Sequence, residues 1–122
     1  MNGKADRPER WAARGDGAAV LKLEIPPDLA RERTFEISCA MTVQPVPNAE
    51  SPWHELRVSA DGEMQWSRRI STARGEPYDG LDVRFRRTLA PGQRLVLLAQ
   101  VNGAGVRRRT LELEADECGD GA

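Results

Sequence analysis

The chain has 122 residues, of which 39% are hydrophobic and 30% are charged, and its formal net charge at pH 7 is −1. This length fits one domain with its own core, and the composition is too apolar for a disordered chain. Because the net charge is close to zero, no overall field favours a nucleic acid or an anionic membrane as a partner.

The first segment, residues 1–17, is predicted to be a flexible arm, because it is rich in charge and glycine and has Trp11 as its single aromatic residue. We expect Trp11 to dock either on the domain itself or on a partner. The segment lacks the apolar run of a signal peptide, and no stretch of the chain is long and apolar enough to span a bilayer. We therefore expect a cytoplasmic protein without a membrane partner, in which Cys39 is a buried thiol and Cys118 a loose one.

Residues 18–116 are predicted to form seven short strands separated by turn residues, and residues 117–122 a disordered tail. The predicted strands are Val20–Ile25, Thr34–Val43, Trp53–Ala60, Glu63–Ile70, Leu81–Leu89, Leu95–Val101 and Val106–Ala115. The second strand alternates apolar and polar residues without a break, which indicates one buried face and one wet face. The sixth strand is almost continuously apolar, which predicts a central strand covered on both faces.

The turn between the third and fourth strands determines which side chains face each other. A two-residue turn at Asp61-Gly62 would place Val58 opposite the polar Gln65. A three-residue loop over 60–62 places Val58 opposite Met64 and keeps the apolar side chains on one face. The pattern therefore predicts the three-residue loop, a type I turn followed by a left-handed glycine.

Seven short strands with turn signals between them predict an all-β, two-sheet antiparallel sandwich, with a small barrel as the alternative. The run Leu89-Ala90-Pro91-Gly92-Gln93-Arg94-Leu95, with Leu97, Ala99, Val101-Asn102 and Gly105 after it, resembles the later strands of fibronectin type III domains. The resemblance covers roughly residues 81–115. It departs from the family at Leu95, where those domains carry a tyrosine. It implies a seven-stranded immunoglobulin-like or fibronectin type III-like β-sandwich with a binding or accessory role.

Catalytic and metal sites are not expected from this sequence. The only histidine is His54, which we interpret as a surface group at a strand end, and Cys39 lies on the apolar face of a strand, as a core residue would. One histidine and two distant cysteines do not give the spacing of zinc ligands, and the loop acids do not match a calcium-binding loop. We therefore expect no cofactor.

Arginines are the most informative remaining feature. Alternation places five of them away from the core, namely Arg57, Arg69, Arg84, Arg86 and Arg108. If their strands are neighbours, they form one basic stripe that could bind an acidic partner or a nucleic-acid backbone. The stripe lacks the interleaved aromatic residues of single-strand binders. We favour a solvated face paired with Asp82, Glu112 and Glu114 over a nucleic-acid site.

Trp53 is the second candidate, because alternation directs its ring to the outer face beside arginines, the composition of a binding hot spot. The loop at Pro52 could instead fold the ring into the end of the sandwich. We expect a non-enzymatic domain that binds another protein within a larger assembly. The candidate binding residues are Trp53, Arg57, Arg69, Arg84, Arg86, Arg108 and Trp11.

The alternative function is a module that binds carbohydrate, an anionic polymer or another small-molecule ligand. Four aromatic residues could stack on a sugar, namely Trp11, Trp53, Trp66 and Tyr78. The predicted register turns Trp66 towards the core, which counts against this function. An enzyme ranks last, because no constellation of catalytic residues is visible.

Overall fold

The computed structural model describes residues 7–119, which form eight β-strands. The strands are β1 (Arg10–Arg14), β2 (Val20–Ile25), β3 (Arg33–Pro45), β4 (Trp53–Ala60), β5 (Glu63–Ser71), β6 (Asp79–Leu89), β7 (Leu95–Ala104) and β8 (Val106–Glu117). Residues 7–119 contain no helix with the length and apolarity that a membrane crossing requires. The predicted all-β class is confirmed.

The strands form two four-stranded antiparallel sheets, the first in the order β1-β8-β3-β6 and the second in the order β2-β7-β4-β5. The first half of the chain pairs with the second half in reverse order: β1 with β8, β2 with β7, β3 with β6 and β4 with β5. The chain is therefore one long hairpin, rolled up so that β8 also joins β3 and β7 also joins β4. This is the strand order of an eight-stranded jelly roll.

The core lies between the apolar faces of the two sheets. On β3 every second side chain from Phe35 to Val43 is at most 1% exposed, and on β4 Leu56 and Val58 are fully buried. The alternation predicted for residues 34–43 is therefore confirmed. Burial of these side chains is the main favourable term for the fold, at about 1.5–3 kcal/mol for each fully buried large aliphatic or aromatic side chain.

The predicted seven-stranded immunoglobulin-like order is not the order observed. An immunoglobulin sheet pairs its first strand with its second, whereas β1 here pairs with β8. The additional strand, β1, lies inside the predicted arm over 1–17. Five residues are too few for alternation to be recognised against the glycines around them. At the other end β8 continues to Glu117, the first residue of the predicted tail, while 1–6 and 120–122 lie outside the described residues.

The hairpin between β4 and β5 has a different register from the predicted one. Its turn has two residues, Asp61 at φ 50° and Gly62 at φ 84°, and positive φ at both positions is the type I′ geometry that suits a hairpin. An irregularity after Val58 then lets Trp66, instead of Gln65, stand opposite Val58. A regular two-residue turn would place the polar Gln65 opposite the buried Val58, and the bulge avoids this without the longer loop that we predicted. Met64 is left 51% exposed instead of facing the core.

β7 was predicted to be a central strand covered on both faces. It is central, but the described residues cover only its inner face. It lies between β2 and β4 in the second sheet, and its inward residues Leu95 and Leu97 are fully buried. Its outward residues Val96 and Leu98 are partly exposed. Within residues 7–119 no segment covers the outer face of this strand as the inner face is covered.

Candidate functional site

The five arginines predicted to form one stripe lie on both sheets. Arg57 and Arg69 lie on β4 and β5 of the second sheet, whereas Arg84 and Arg86 lie on β6 of the first sheet. The outer faces of stacked sheets point in opposite directions, so these two pairs cannot contact one ligand surface together. The condition for a single stripe, that the strands be neighbours, is not met.

Two further predicted binding residues are engaged within the chain. Trp11 lies on β1 and packs against the core, and its Nε1 donates to a Glu9 Oε atom at 3.0 Å. Arg108 donates from Nε to the Gly17 carbonyl at 3.0 Å. Of the two dockings left open for Trp11, the structure therefore has the one on the parent domain.

Trp53, Arg57 and Arg69 come together around one buried carboxylate on the second sheet. The Arg69 guanidinium lies 3.9 Å from the centre of the Trp53 ring. Its Nε is 3.6 Å from one Glu55 oxygen, and the Arg57 Nε is 3.8 Å from the other. Asn102 donates to Glu55 from its amide at 3.2 Å. Strand register explains the cluster, because Glu55 stands between Arg69 on β5 and Asn102 on β7.

Glu55 attracts both guanidinium groups by charge, at distances longer than a hydrogen bond. The residue is only 8% exposed, whereas the Arg57 and Arg69 side chains are 47% and 59% exposed. Ion pairs with such exposed arginines contribute about 0–1 kcal/mol each, and the outer surfaces of both arginines stay free. The stack of Arg69 on Trp53 adds a cation–π contact of about 0.5–1 kcal/mol at an exposed site.

Apolar side chains continue this surface across the second sheet. Leu98 on β7 stands opposite Ser59, which in turn stands opposite Met64. Val20 is 53% exposed at the far edge of the sheet. We call the outer surface of the second sheet the Trp53 face. Its residues are Trp53, Glu55, Arg57, Ser59, Met64, Ser67, Arg69, Val20, Lys22, Glu24, Val96, Leu98, Gln100 and Asn102.

On the first sheet, the arginines of β6 do not form the predicted pairs with Asp82, Glu112 and Glu114. Arg86 lies 3.9 Å from Glu36, and Glu112 instead pairs with Arg14 of β1 at 2.7 Å. Register separates Arg84 from Glu114 by one strand, because both stand opposite Ser38 of β3. The side chains of Asp82, Arg84, Glu112 and Glu114 surround a shallow depression of about 170 Å³.

The prediction that His54 is a surface group is wrong, because the residue is fully buried. Its Nε2 lies 3.3 Å from the Gly80 carbonyl, and its Nδ1 lies 2.7 Å from the Thr72 hydroxyl. A carbonyl oxygen can only accept, so Nε2 carries a hydrogen and donates it to Gly80, and in the neutral ring Nδ1 accepts from the Thr72 hydroxyl. With both ring nitrogens used, His54 fastens the segment after β5 to the start of β6.

Cys39 is buried as expected, and burial raises the pKa of its thiol to about 12. It therefore stays protonated at neutral pH, and a protonated thiol is a poor nucleophile. Within the described part of the chain, no three His, Cys, Asp or Glu side chains are placed to hold a metal ion. Neither His54 nor Cys39 has the exposure or the partner that nucleophilic catalysis requires.

An ion cluster around the buried Arg33, at one end of the sandwich, was not anticipated. The Arg33 side chain is 1% exposed and donates to Glu9 at 2.7 Å and to the Pro26 carbonyl at 2.8 Å. Arg31 pairs with Glu117, with Asp28 and with the second Glu9 oxygen. The cluster joins the residue before β1 to the end of β8 and the loop before β3. Arg33 has the same parity as the buried residues of β3, and this alternation is the sequence feature that could have predicted its burial.

The four aromatic residues considered for sugar stacking lie in separate places. Trp11 and Trp66 are partly buried against the core from different sheets, and Trp53 lies on the Trp53 face. Tyr78 precedes β6 and is 50% exposed, with the Arg109 guanidinium 5.7 Å from its ring centre.

No protein-family model and no curated protein matches this sequence. Solved structures do share the fold. Latent dimeric PorU from Porphyromonas gingivalis is 13% identical, with a TM-score of 0.60, over 90% of this chain and 11% of that chain. The mosquito-larvicidal Cry4Aa toxin from Bacillus thuringiensis is 12% identical, with a TM-score of 0.52, over 84% of this chain and 18% of that chain.

This chain thus corresponds to only 11% and 18% of the two solved proteins. At such low identities the likeness concerns the fold alone. It agrees with the strand pairing above: the chain has an all-β fold made of two four-stranded antiparallel sheets.

Proposed function

We propose that this chain is a non-enzymatic domain that binds another protein through the Trp53 face, as an accessory part of a larger assembly. The observation that carries the proposal is the outer side of β7, where Val96 and Leu98 are partly exposed on a central strand. Apolar residues on both faces of a strand are typical of one covered on both. A protein partner would supply the cover that residues 7–119 leave open.

The polar half of the Trp53 face supports the same function. Tryptophan and arginine are the residues most enriched among binding hot spots, and here Arg69 lies directly over Trp53. Glu55 attracts Arg57 and Arg69, and Arg69 also stacks on Trp53, so a partner would have less side-chain freedom to remove than with two unpaired arginines. Immobilising one such side chain costs about 0.5–1.5 kcal/mol on binding.

Binding is favoured over catalysis by the state of the two reactive side chains. His54 uses both ring nitrogens inside the fold, and Cys39 is a buried thiol. Cys118 is also free, which supports a reducing compartment such as the cytoplasm as the place of action.

Quantitative affinity capture from the native host tests the proposal. The bait is compared with Trp53→Ala and Arg57→Glu, and with the control Arg10→Glu, which changes an exposed arginine of the first sheet. A specific partner should be recovered by the wild type and by the control. Its affinity should fall about thirtyfold in Trp53→Ala, corresponding to a hot-spot loss of about 2 kcal/mol.

A partner that is retained by both Trp53→Ala and Arg57→Glu would overturn the assignment to this face. The alternative function, binding of a carbohydrate or an anionic polymer, gives a different result. In that case the purified chain binds an immobilised polysaccharide directly and Trp53→Ala abolishes the binding, while no protein partner depends on Trp53.

A further inference from the structure

We propose that the free edge of β6 binds an extended acidic segment of a partner protein, which adds to the first sheet as a fifth strand. β6 is the last strand of that sheet and pairs with β3 alone, along all eleven residues from Asp79 to Leu89. In an antiparallel pair, every second residue of an edge strand directs its N–H and C=O groups away from the neighbour. In residues 7–119, no backbone group outside β3 bonds to residues 81–89.

The other three sheet edges are blunted in ways that β6 is not. β1 has five residues and β2 has six, and short edge strands offer little to pair with. The β5 edge is interrupted by the bulge opposite Val58. Brevity and bulges are common protections of sheet edges. β6 is long and has an unbroken register, so it is the edge best suited to accept a strand.

The inner side of β6 offers apolar contacts to such a strand. Leu81, Val83 and Phe85 face the core side but remain partly exposed, whereas the β3 residues paired with them are at most 1% exposed. The second sheet therefore does not fully cover the β6 edge. An added strand would place every second side chain beside these three residues, as peptides do when they extend a sheet.

The charges of β6 determine which strand would fit. Asp82, Arg84 and Arg86 point outward on alternate residues, so the outward charge of the strand is positive on balance, and Arg87 lies on the inner side. Within the described residues Arg84 and Arg87 form no ion pair. The 3.9 Å contact of Arg86 with Glu36 joins side chains that are 59% and 47% exposed, so it competes weakly with a partner.

A second copy of this chain suits the edge less well, because β6 carries Arg84, Arg86 and Arg87 against Asp79 and Asp82. Two such strands side by side would repel on balance, and like charges across a ladder are destabilising. An acidic residue opposite Arg84 and another two positions away, opposite Arg86, would be attracted. The partner segment therefore alternates acidic side chains on the outer face with apolar side chains on the inner face.

The probe is a synthetic peptide of about nine residues that alternates valine and glutamate, a length that spans most of β6. In an NMR titration of the full chain, the peptide should shift amide signals of residues 81–89. It should also slow hydrogen exchange at alternate amides of β6. The variant Arg84→Glu/Arg86→Glu should bind at least about tenfold more weakly, or about 1.4 kcal/mol. A peptide N-methylated at alternate amides should not bind, because it cannot extend the ladder.

Arg10→Glu is the control, since Arg10 is an exposed arginine on the opposite edge of the same sheet, 3.1 Å from Asp116. It should bind the peptide like the wild type, and so should Trp53→Ala, which keeps this test independent of the Trp53 face. A Kd above about 1 mM for the wild type, or shifts centred outside β6, would overturn the proposal. So would an unchanged affinity after Arg84→Glu/Arg86→Glu.

If the arginines serve only to keep copies apart, replacing Arg84, Arg86 and Arg87 by threonine will make the chain self-associate in sedimentation experiments, while the wild type ignores the peptide. That combination would also refute the acidic strand as the occupant.

Discussion

The buried pair of Arg33 and Glu9 allows a quantitative test of how the end of the sandwich is held together. Glu9→Gln keeps the size of the side chain but leaves the Arg33 guanidinium, whose side chain is 1% exposed, without its counter-charge. Removing one member of a buried ion pair costs about 3–5 kcal/mol. Because the Glu9 side chain is 25% exposed and Arg31 keeps Glu117 as a partner, we expect the lower end, about 3 kcal/mol.

Chemical denaturation measures the free energy of unfolding of the wild type, Glu9→Gln, Arg33→Met and the double variant. For a chain of this length a loss of about 3 kcal/mol lowers Tm by about 12 °C. The double variant should be more stable than Glu9→Gln alone, because it leaves no buried charge without a partner. A loss below about 1 kcal/mol in Glu9→Gln, or strictly additive effects, would show that the pair is solvated and that our account of this end is wrong.

Three further predictions concern single positions. A thiol reagent should label Cys118 within the folded state and Cys39 only on unfolding, since burial raises the pKa of the Cys39 thiol to about 12; equal labelling rates by mass spectrometry would contradict this. The hydrogen bond from Arg31 lowers the pKa of Glu117, so this carboxylate stabilises the fold above about pH 4.3 and the contribution is lost as the pH falls through the lower, folded-state pKa. Glu117→Gln should therefore flatten the acid side of a stability–pH curve. Gly62→Ala should cost about 1 kcal/mol in denaturant titrations, because φ is +84° and no contact compensates for the strain of a side chain there; an unchanged midpoint would mean that the turn relaxes.

Alternation predicted the faces of the strands well, because side-chain direction is a local property of extended backbone. Alternation was right even at positions where we interpreted the residue type as evidence against it. His54 has the same parity as Leu56 and Val58, both buried, and Arg33 has the same parity as Phe35. Residue type suggested a surface position for the histidine, but the phase of the strand indicates the interior, where hydrogen bonds compensate for the polar atoms.

Strand pairing was not predictable in the same way, since it depends on contacts between distant parts of the chain. β1 pairs with β8, about a hundred residues later, and no local pattern records that choice. The turns between β6 and β7 and between β7 and β8 resemble hairpin turns, yet these strands belong to different sheets. The bulge in β5 shows the same limit on a smaller scale, because one inserted residue changes the register that alternation alone would select.

The candidate site was harder to predict than the strands, because it consists largely of arginines. The sequence alone does not show which arginines will share a surface, since that depends on strand order. The rolled hairpin gives them three different situations. Arg31 and Arg33 close one end of the sandwich in an ion cluster, and Arg57 and Arg69 lie near Glu55 beside Trp53. Arg84 and Arg87 lie on an edge strand with no ion pair among the described residues.

These situations differ in what a partner would gain from each arginine. A guanidinium beside a buried carboxylate is partly neutralised and contributes mainly its surface and its stacking, so the Trp53 face should bind mainly through contact area and depend weakly on salt. A guanidinium without a direct ion pair contributes attraction at a distance, so binding at the β6 edge should weaken as ionic strength rises. Salt dependence therefore separates the two surfaces even when both belong to one assembly.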